Sequence, residues 1–128
     1  MSFTVYVRLA ERHPDLAGLL ERIRAKFVEM GMAEVIRSEE LASFLRVDPN
    51  QVRSVLDLLV EEGVLAREDM VECANCGIPV VRAHYYEAIE EEDEYRCTGC
   101  DERLTDQTAF PITTYRSDEK WQEAHPPP

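Results

Sequence analysis

The chain has 128 residues, of which 45% are hydrophobic, and its formal net charge at pH 7 is −12. This length suits one domain, or two very small units if a bound metal stabilises one of them. No apolar run is long enough to span a membrane, and the first residues lack the basic and apolar regions of a secretory signal. We therefore expect a cytoplasmic protein that has no membrane partner.

The segment "FTVYVRL" near the start is rich in β-branched and aromatic residues, which favour strands. It predicts an N-terminal strand. Two partners for this strand are open: the segment "ITTYR", Ile112 to Arg116, or the sheet edge of another protein.

Helical periodicity follows after "HPD". The apolar residues of the first predicted helix are Leu16, Leu19, Leu20, Ile23 and Phe27. Gly31 follows this series at the place where a helix is expected to end.

A second helix is predicted from "SEELASFL", with Ser38 as its N-cap and two acidic residues in its first turn. Its apolar face consists of Leu41, Ala42 and Leu45. The spacing of these residues fits a short amphipathic helix.

A third helix is predicted from "PNQVRSVLDLLVEEG", because Asp48 suits the N-cap position and Pro49 the first helical position. Gln51 stands three residues after the cap, as in a capping box. The helix is expected to end at Gly63. Its predicted buried residues are Val52, Val55, Leu56, Leu59 and Val60.

The segment "GVLAREDMVEC" then predicts two short strands around Glu68 and Asp69. With the preceding helices, "EELASFLRVDPNQVRSVLDLLVEEGVLARE" resembles the winged helix-turn-helix family. The resemblance implies a winged helix-turn-helix over residues 1–70, including the N-terminal strand. The predicted fold class is α+β, a three-helix winged helix-turn-helix with a small β zinc ribbon.

All four cysteines lie in two Cys-x-x-Cys pairs, Cys73 with Cys76 and Cys97 with Cys100, separated by twenty residues. Such pairs and spacing are typical of a structural zinc site with four thiolate ligands. Disulfides are disfavoured in the reducing compartment expected here, and neither pair lies in a βαβ setting typical of a thioredoxin-like site. The sequence therefore predicts one zinc ion, with no coordination position left for substrate.

The zinc ribbon is predicted over residues 71–116, with a strand in "IPVVRAHYY" from Ile78 to Tyr86 and a second in "EYRC". His84 is expected on the first strand and not as a ligand, because the cysteines complete the site. The acidic run at 90–94 predicts an exposed loop tip. Residues 117–128 are expected to form a flexible tail, with Trp121 either on the surface or anchoring a partner.

In winged-helix proteins the third helix commonly reads the major groove, which makes residues near its start candidates for nucleic-acid contact. These are Arg46, Asn50, Gln51, Arg53 and Ser54, whose side chains can contact bases or phosphates. The charge argues against DNA, since the net charge is −5 through residue 72 and −7 from residue 73 onward. The same residues are also expected in a protein that does not bind DNA: Asn50 and Gln51 as capping residues of the first turn, and Arg53 as a solvated helix residue.

A winged helix followed by a two-knuckle ribbon resembles the archaeal transcription factor E alpha subunit. The residues that carry this resemblance are "EEGVLARE" before the first cysteine pair and "YRCTGCDERL" around the second. The resemblance implies an adaptor that binds RNA polymerase and helps to open promoter DNA.

Three hypotheses follow. The leading one is a non-catalytic adaptor with a protein partner in a multi-subunit complex; the second is a DNA-binding regulator; the third is an acidic inhibitor that occupies a basic cleft. An enzyme with a small-molecule substrate is not expected, because the histidines are scattered and no Gly-rich phosphate loop is present.

Overall fold

The computed structural model describes residues 4–31 and 35–126. These residues form six α-helices, one 3-10 turn and six β-strands, so the chain has a mixed α+β fold. They group into two compact units. The helical unit contains the described residues up to Arg67 and from residue 115 onward, and the cysteine unit contains Glu68–Thr114.

The first element is helix α1, Thr4–Arg12, where the sequence predicted a strand. Tyr6 and Leu9 are buried on one side of this helix. Their three-residue spacing places both side chains against helix α2, and this packing overrides the β-propensity of the segment. The predicted pairing with Ile112 to Arg116 is therefore wrong for the described residues, and Phe3 of the predicted strand lies outside them.

Helix α2, Ala17–Met30, follows a 3-10 turn at Pro14–Leu16 and confirms the first predicted helix. Its fully buried side chains are Leu20, Ile23 and Phe27. Gly31 has a φ of 72° and donates its backbone N–H to the carbonyl of Phe27 at 3.0 Å. A left-handed backbone at this position suits glycine and ends the helix as predicted.

Helix α4, Pro49–Glu61, confirms the third predicted helix. The carboxylate of Asp48 accepts a hydrogen bond from the backbone N–H of Asn50 at 2.8 Å, so Asp48 is the N-cap. Val52, Val55, Leu56 and Leu59 are fully buried, whereas Val60 is only partly buried. Gly63, with a φ of 78°, lies just beyond the end of the helix.

Helix α3, Ser38–Leu45, confirms the second predicted helix, with Leu41, Ala42 and Leu45 buried. Ser38 is not its N-cap. Arg37 occupies that position, and Ser38 is the first helical residue, buried with its hydroxyl donating to a carboxylate oxygen of Glu39 at 3.1 Å. The Ser38 hydroxyl therefore donates to the neighbouring side chain and does not accept from a backbone N–H, as an N-cap hydroxyl would.

The larger sheet has the strand order β1-β6-β2-β3. Its strands are β1 (Ile36–Arg37), β2 (Leu65–Cys73), β3 (Pro79–Val81) and β6 (Ala109–Ser117). Strand β2 is continuous, so the predicted pair of short strands around Glu68 and Asp69 is wrong. The carbonyl of Glu68 accepts from the hydroxyl of Thr114 on β6 at 3.1 Å, which keeps this stretch extended.

The cysteine unit adds helix α5 (Arg82–Glu92) and a two-stranded sheet of β4 (Tyr95–Arg96) and β5 (Arg103–Leu104). Strand β3 ends at Val81, which pairs with Met70 of β2 in an antiparallel ladder. The predicted strand over Ile78 to Tyr86 is thus wrong beyond Val81.

Helix α5 also corrects the predicted acidic loop, because residues 90–92 are helical and only residues 93–94 lie beyond it. Tyr85 and Ile89 are one helical turn apart, and both pack into the core of the cysteine unit. Helix α5 is otherwise polar and acidic, so these two side chains form its one apolar face. Packing of such a face against the core stabilises a helix in a folded protein.

The segment after β6 is not a flexible tail in its described part. Helix α6, Trp121–Ala124, brings Trp121 into the core of the helical unit with 2% of its surface exposed. The Trp121 ring lies 5.0 Å from the ring of Phe27, centroid to centroid. Burial of so large an aromatic side chain holds the segment in place.

His125 is buried beside it and connects the two ends of the helical unit. Its Nδ1 hydrogen-bonds to the carbonyl of Trp121 at 2.9 Å, and its Nε2 hydrogen-bonds to the hydroxyl of Tyr6. Burial lowers the pKa of His125, which favours the neutral imidazole in this cluster.

Candidate metal centre

The first cysteine pair lies where β2 ends. Cys73 is its last residue, and the carbonyl of Cys73 accepts from the backbone N–H of Gly77 at 2.8 Å. Gly77 has a φ of 80°, a conformation in which glycine avoids the steric cost of a Cβ. The resulting tight turn brings the side chain of Cys76 back towards Cys73.

The second pair repeats this arrangement. The carbonyl of Cys97 accepts from the backbone N–H of Asp101 at 2.9 Å, and Asp101 also has a positive φ, 62°. Gly77 and Asp101 thus occupy equivalent places, each directly after the second cysteine of its pair. Two equivalent turns present two sulfurs each to one point, which is the arrangement that a four-cysteine site requires.

Gly99 lies inside the second cysteine pair, at the place where the two turns are closest to each other. A Cβ added to Gly99 would lie 2.1 Å from Cδ1 of Ile78 and 3.2 Å from Sγ of Cys76. The two turns therefore approach each other so closely that a Cβ at this position would require the Ile78 side chain and the Cys76 thiol to shift.

The four sulfurs form one cluster, as the sequence predicts. Sγ of Cys73 lies 3.7 Å from Sγ of Cys100, and Sγ of Cys76 lies 3.3 Å from Sγ of Cys97. All four lie within 4.8 Å of one another, and none forms a disulfide. The cluster could hold a metal ion.

Backbone donors favour the thiolate form of one cysteine. The N–H groups of Cys100 and Gly99 point at Sγ of Cys97 and lower the pKa of this thiol to about 6. The thiolate is the form that binds metals.

Cys76 shows the opposite shift. The backbone N–H of Ile78 favours the Cys76 thiolate. The pKa of Cys76 nevertheless rises to about 12, because its thiol hydrogen-bonds to Cys97, is desolvated, and interacts with the sulfurs of Cys100 and Cys73. Thiolates at such distances repel one another, so all four are deprotonated together only around a cation.

His84 lies on helix α5, is exposed, and is not part of the cysteine cluster. It is therefore on a helix instead of the predicted strand. No histidine or carboxylate joins the four cysteines within the described part of the chain.

The nucleic-acid candidates all lie at the turn between α3 and α4 or in the first turns of α4. Arg46, Asn50, Gln51 and Ser54 are exposed. Arg53 is half-buried, and its guanidinium lies 3.6 Å from the carboxylate of Glu39. The helix therefore presents short polar groups, while its central arginine already has an acidic partner.

The negative charge is divided unevenly between the two units. The net charges counted through residue 72 and from residue 73 onward are more similar, because that boundary places three acidic residues of the cysteine unit in the first part of the chain. The cysteine unit has three Arg against twelve Asp and Glu, a net charge of −9. The helical unit, with its C-terminal segment, has a net charge of −3. Most of the acidity therefore belongs to the residues around the candidate metal centre.

Comparison with known proteins gives no relative from which a role could be transferred: no family model, curated protein or solved structure matches this chain. Within residues 4–31 and 35–126, every helix is too short or too polar to cross a lipid bilayer.

Proposed function

We propose that the chain is a non-catalytic, zinc-binding winged-helix adaptor, which docks on a basic surface of a larger protein assembly through its cysteine unit. The observation that carries this proposal is the net charge of −9 on the cysteine unit. An acidic surface attracts basic partners and repels nucleic acid.

Zinc is the metal that the donor set favours. Four cysteines with tetrahedral geometry and a Zn–S length of about 2.3 Å give sulfur–sulfur distances of about 3.8 Å. The observed distances of 3.3 and 3.7 Å are close to this value. An iron site can use the same ligands, so the colour of the protein distinguishes them: zinc sites are colourless.

A zinc ion held by these four thiolates would serve structure. All of its tetrahedral positions are taken by Cys73, Cys76, Cys97 and Cys100, so neither water nor substrate can bind to it. The metal would instead fix two turns that are otherwise joined by a small apolar core. This supports a binding role for the unit over a catalytic one.

The order of elements supports the winged-helix part of the proposal. Helix α2, strand β1, helices α3 and α4, and strands β2 and β6 follow one another as in a winged helix. The connection between β2 and β6, residues 74–108, corresponds to the wing, and here it makes up most of the cysteine unit, Glu68–Thr114. In DNA-binding members of the family the wing contacts phosphate, a contact for which a unit of charge −9 has the wrong sign.

DNA reading by α4 is the alternative, and it has weaker support. Asn50, Gln51 and Arg46 are exposed and chemically suited to bases or phosphate. However, Arg53 is close to Glu39, and Arg67 on β2 is 3.2 Å from the carboxylate of Asp57. These acidic partners reduce the attraction of the same surface for phosphate.

An inhibitor that only occupies a basic cleft would need no second contact surface, but the helical unit has a candidate. Phe44 and Val35 are 62% and 61% exposed, and they line a groove with Met30. Nζ of Lys26 lies 3.9 Å from the ring centroid of Phe44. Such an apolar patch favours an adaptor with two protein contacts.

The proposal is tested by anisotropy titrations of the zinc-loaded chain with two labelled probes: duplex DNA and a short peptide of alternating lysine and serine. We expect the peptide to bind with an affinity that falls as salt rises, and the DNA not to bind. Replacing Glu90, Glu91 and Glu92 by Gln should weaken peptide binding. The matched variant replaces Glu11, Glu29 and Glu119 of the helical unit by Gln and should weaken it much less.

Two results would contradict the proposal. One is salt-sensitive binding of duplex DNA that is lost in Arg53→Ala, which would favour the regulator. The other is an equal loss of peptide binding in both triple variants, which would show that the charge of the cysteine unit has no special role.

A further inference from the structure

We propose that a groove on the cysteine unit binds one lysine or arginine side chain of a basic protein segment. The groove, here called the tyrosine groove, is lined by Tyr85, Tyr86 and Ile89 of helix α5 and by residues 103–106. This inference rests on the proposed function, because it names the site at which the acidic unit would bind its partner.

The size of the groove suits a side chain. Its volume is about 240 Å³. Sites for drug-sized molecules usually enclose roughly 300 to 1,000 Å³, so a free metabolite would be poorly enclosed here. A single long side chain, still attached to a peptide backbone that runs outside the groove, fits the available space better.

Tyr85 provides a polar group inside the groove. It is 95% buried, since only 5% of its surface is exposed, and its hydroxyl has no hydrogen-bond partner within the described part of the chain. Tyr86 and Asp106 line the same groove, and burial together with the charge of Asp106 raises the pKa of Tyr85. The hydroxyl is not among the buried atoms that lack a partner, so its oxygen is open to the groove and can accept a hydrogen bond from a ligand there.

The groups around Tyr85 select a cation. An ammonium or guanidinium group has only donors, so it would satisfy both the hydroxyl oxygen of Tyr85 and the carboxylate of Asp106. An anion would meet the carboxylate with the wrong sign. An apolar side chain would displace water from the Tyr85 hydroxyl without replacing its hydrogen bond.

Tyr86 offers an aromatic face beside these polar groups. It is 57% exposed, and its ring centroid lies 5.5 Å from that of Tyr85 with an interplanar angle of 57°. A cation above an exposed tyrosine ring is attracted by the negative face of the ring. The aliphatic part of the same side chain would contact Ile89 and Leu104.

Arg103 is the one lining residue with the same charge as the proposed ligand. Its Nε lies 3.6 Å from one carboxylate oxygen of Glu94, whose other oxygen lies 3.6 Å from Nε of Arg96. Helix α5 ends at Glu92, one turn beyond Ile89 of the groove, and the C-terminal end of a helix carries partial negative charge. Together with the net charge of −9 on the cysteine unit, this makes the surroundings of the groove attractive to a cation despite Arg103.

The inference is tested by an NMR titration of the ¹⁵N-labelled, zinc-loaded chain with the lysine–serine peptide. Amide shifts should concentrate at Tyr85, Tyr86, Ile89 and residues 104–106, and a glutamine–serine peptide should cause none. Tyr86→Ala should weaken binding by about two- to fivefold, whereas Tyr86→Phe, which keeps the ring, should bind as the unchanged protein does. Asp106→Asn should weaken binding more than Glu91→Gln, which removes the same charge outside the groove.

The outcomes separate this inference from the proposed function. If the peptide binds, but Tyr86→Ala and Asp106→Asn have no effect while the triple change at Glu90 to Glu92 does, the groove is excluded and acidic docking stands. If the folded, zinc-loaded protein does not bind the peptide at all, both proposals are overturned.

Discussion

The hydroxyl of Tyr115 donates a hydrogen bond to Oδ1 of Asp57 at 2.8 Å. Tyr115 belongs to strand β6 and Asp57 to helix α4, so this hydrogen bond links strand β6 to the middle of helix α4. Arg67 of β2 lies 3.2 Å from both oxygens of the same carboxylate. One aspartate thus connects three elements of the helical unit.

Removing this hydroxyl should destabilise the protein. Tyr115 is almost fully buried, and its partner is charged, so Tyr115→Phe should lower the free energy of unfolding by about 1.5 kcal/mol. Urea denaturation followed by circular dichroism measures this change. The control is Tyr86→Phe, which alters an exposed hydroxyl; equal effects of the two substitutions would argue against the Asp57 contact.

Alkaline pH should also weaken the helical unit. Burial raises the pKa of both Tyr6 and Tyr115 above the ordinary tyrosine value, and the hydrogen bond to Asp57 adds to the shift at Tyr115. The folded state therefore favours the protonated phenols. Their contribution is complete below the unfolded pKa of about 10 and is lost as the pH rises above it.

Unfolding free energies measured across this alkaline range should therefore fall with pH. In the double variant Tyr6→Phe with Tyr115→Phe, the decline should be shallower. A decline of the same slope in both proteins would mean that other groups cause it.

Trp121 should behave as a core residue. Because it is 2% exposed and packs on Phe27, Trp121→Ala should lower the free energy of unfolding by about 3 to 5 kcal/mol. Gln122→Ala, in the same short helix but exposed, should change it little. If Trp121→Ala were as mild as its control, the segment would be detached from the core.

Gly99 should tolerate no side chain. Gly99→Ala places a methyl group 2.1 Å from Cδ1 of Ile78 and 3.2 Å from Sγ of Cys76, so the exposed Ile78 side chain must move, the Cys76 thiol must shift, and metal affinity should fall. Gly18→Ala in helix α2 is the matched control, because nothing lies within 4 Å of a Cβ there, and alanine should leave metal binding unchanged. Competition with a zinc-binding dye compares the affinities; equal values would disprove the close approach.

The parts of the fold that the sequence predicts well are those with local signals. Asp48 and Pro49 mark the start of α4, and the apolar period of α2 and Gly31 at its end define that helix. The cysteine pairs likewise predict the metal cluster, because their spacing directly reflects its geometry.

The errors occur where distant contacts decide the local structure. Tyr6 of α1 and His125 are separated by 119 positions, and their contact is part of the packing that makes the first segment helical and the last one ordered. No local pattern encodes such a pair. The sequence predicts a strand over the start of helix α5 because Val80 and Val81 precede it and Tyr85 and Tyr86 follow, although Tyr85 and Ile89 have helical spacing.

The measurement that tests the central claim most directly is the metal content of the purified chain together with its NMR spectrum before and after chelation. We expect about one zinc ion per chain, no absorption typical of iron–sulfur clusters, and loss of the dispersed amide signals of Glu68–Thr114 when the zinc is removed. Cys97→Ser should reproduce this loss. A metal-free protein that keeps its full native spectrum would contradict the claim that these four cysteines hold a structural zinc.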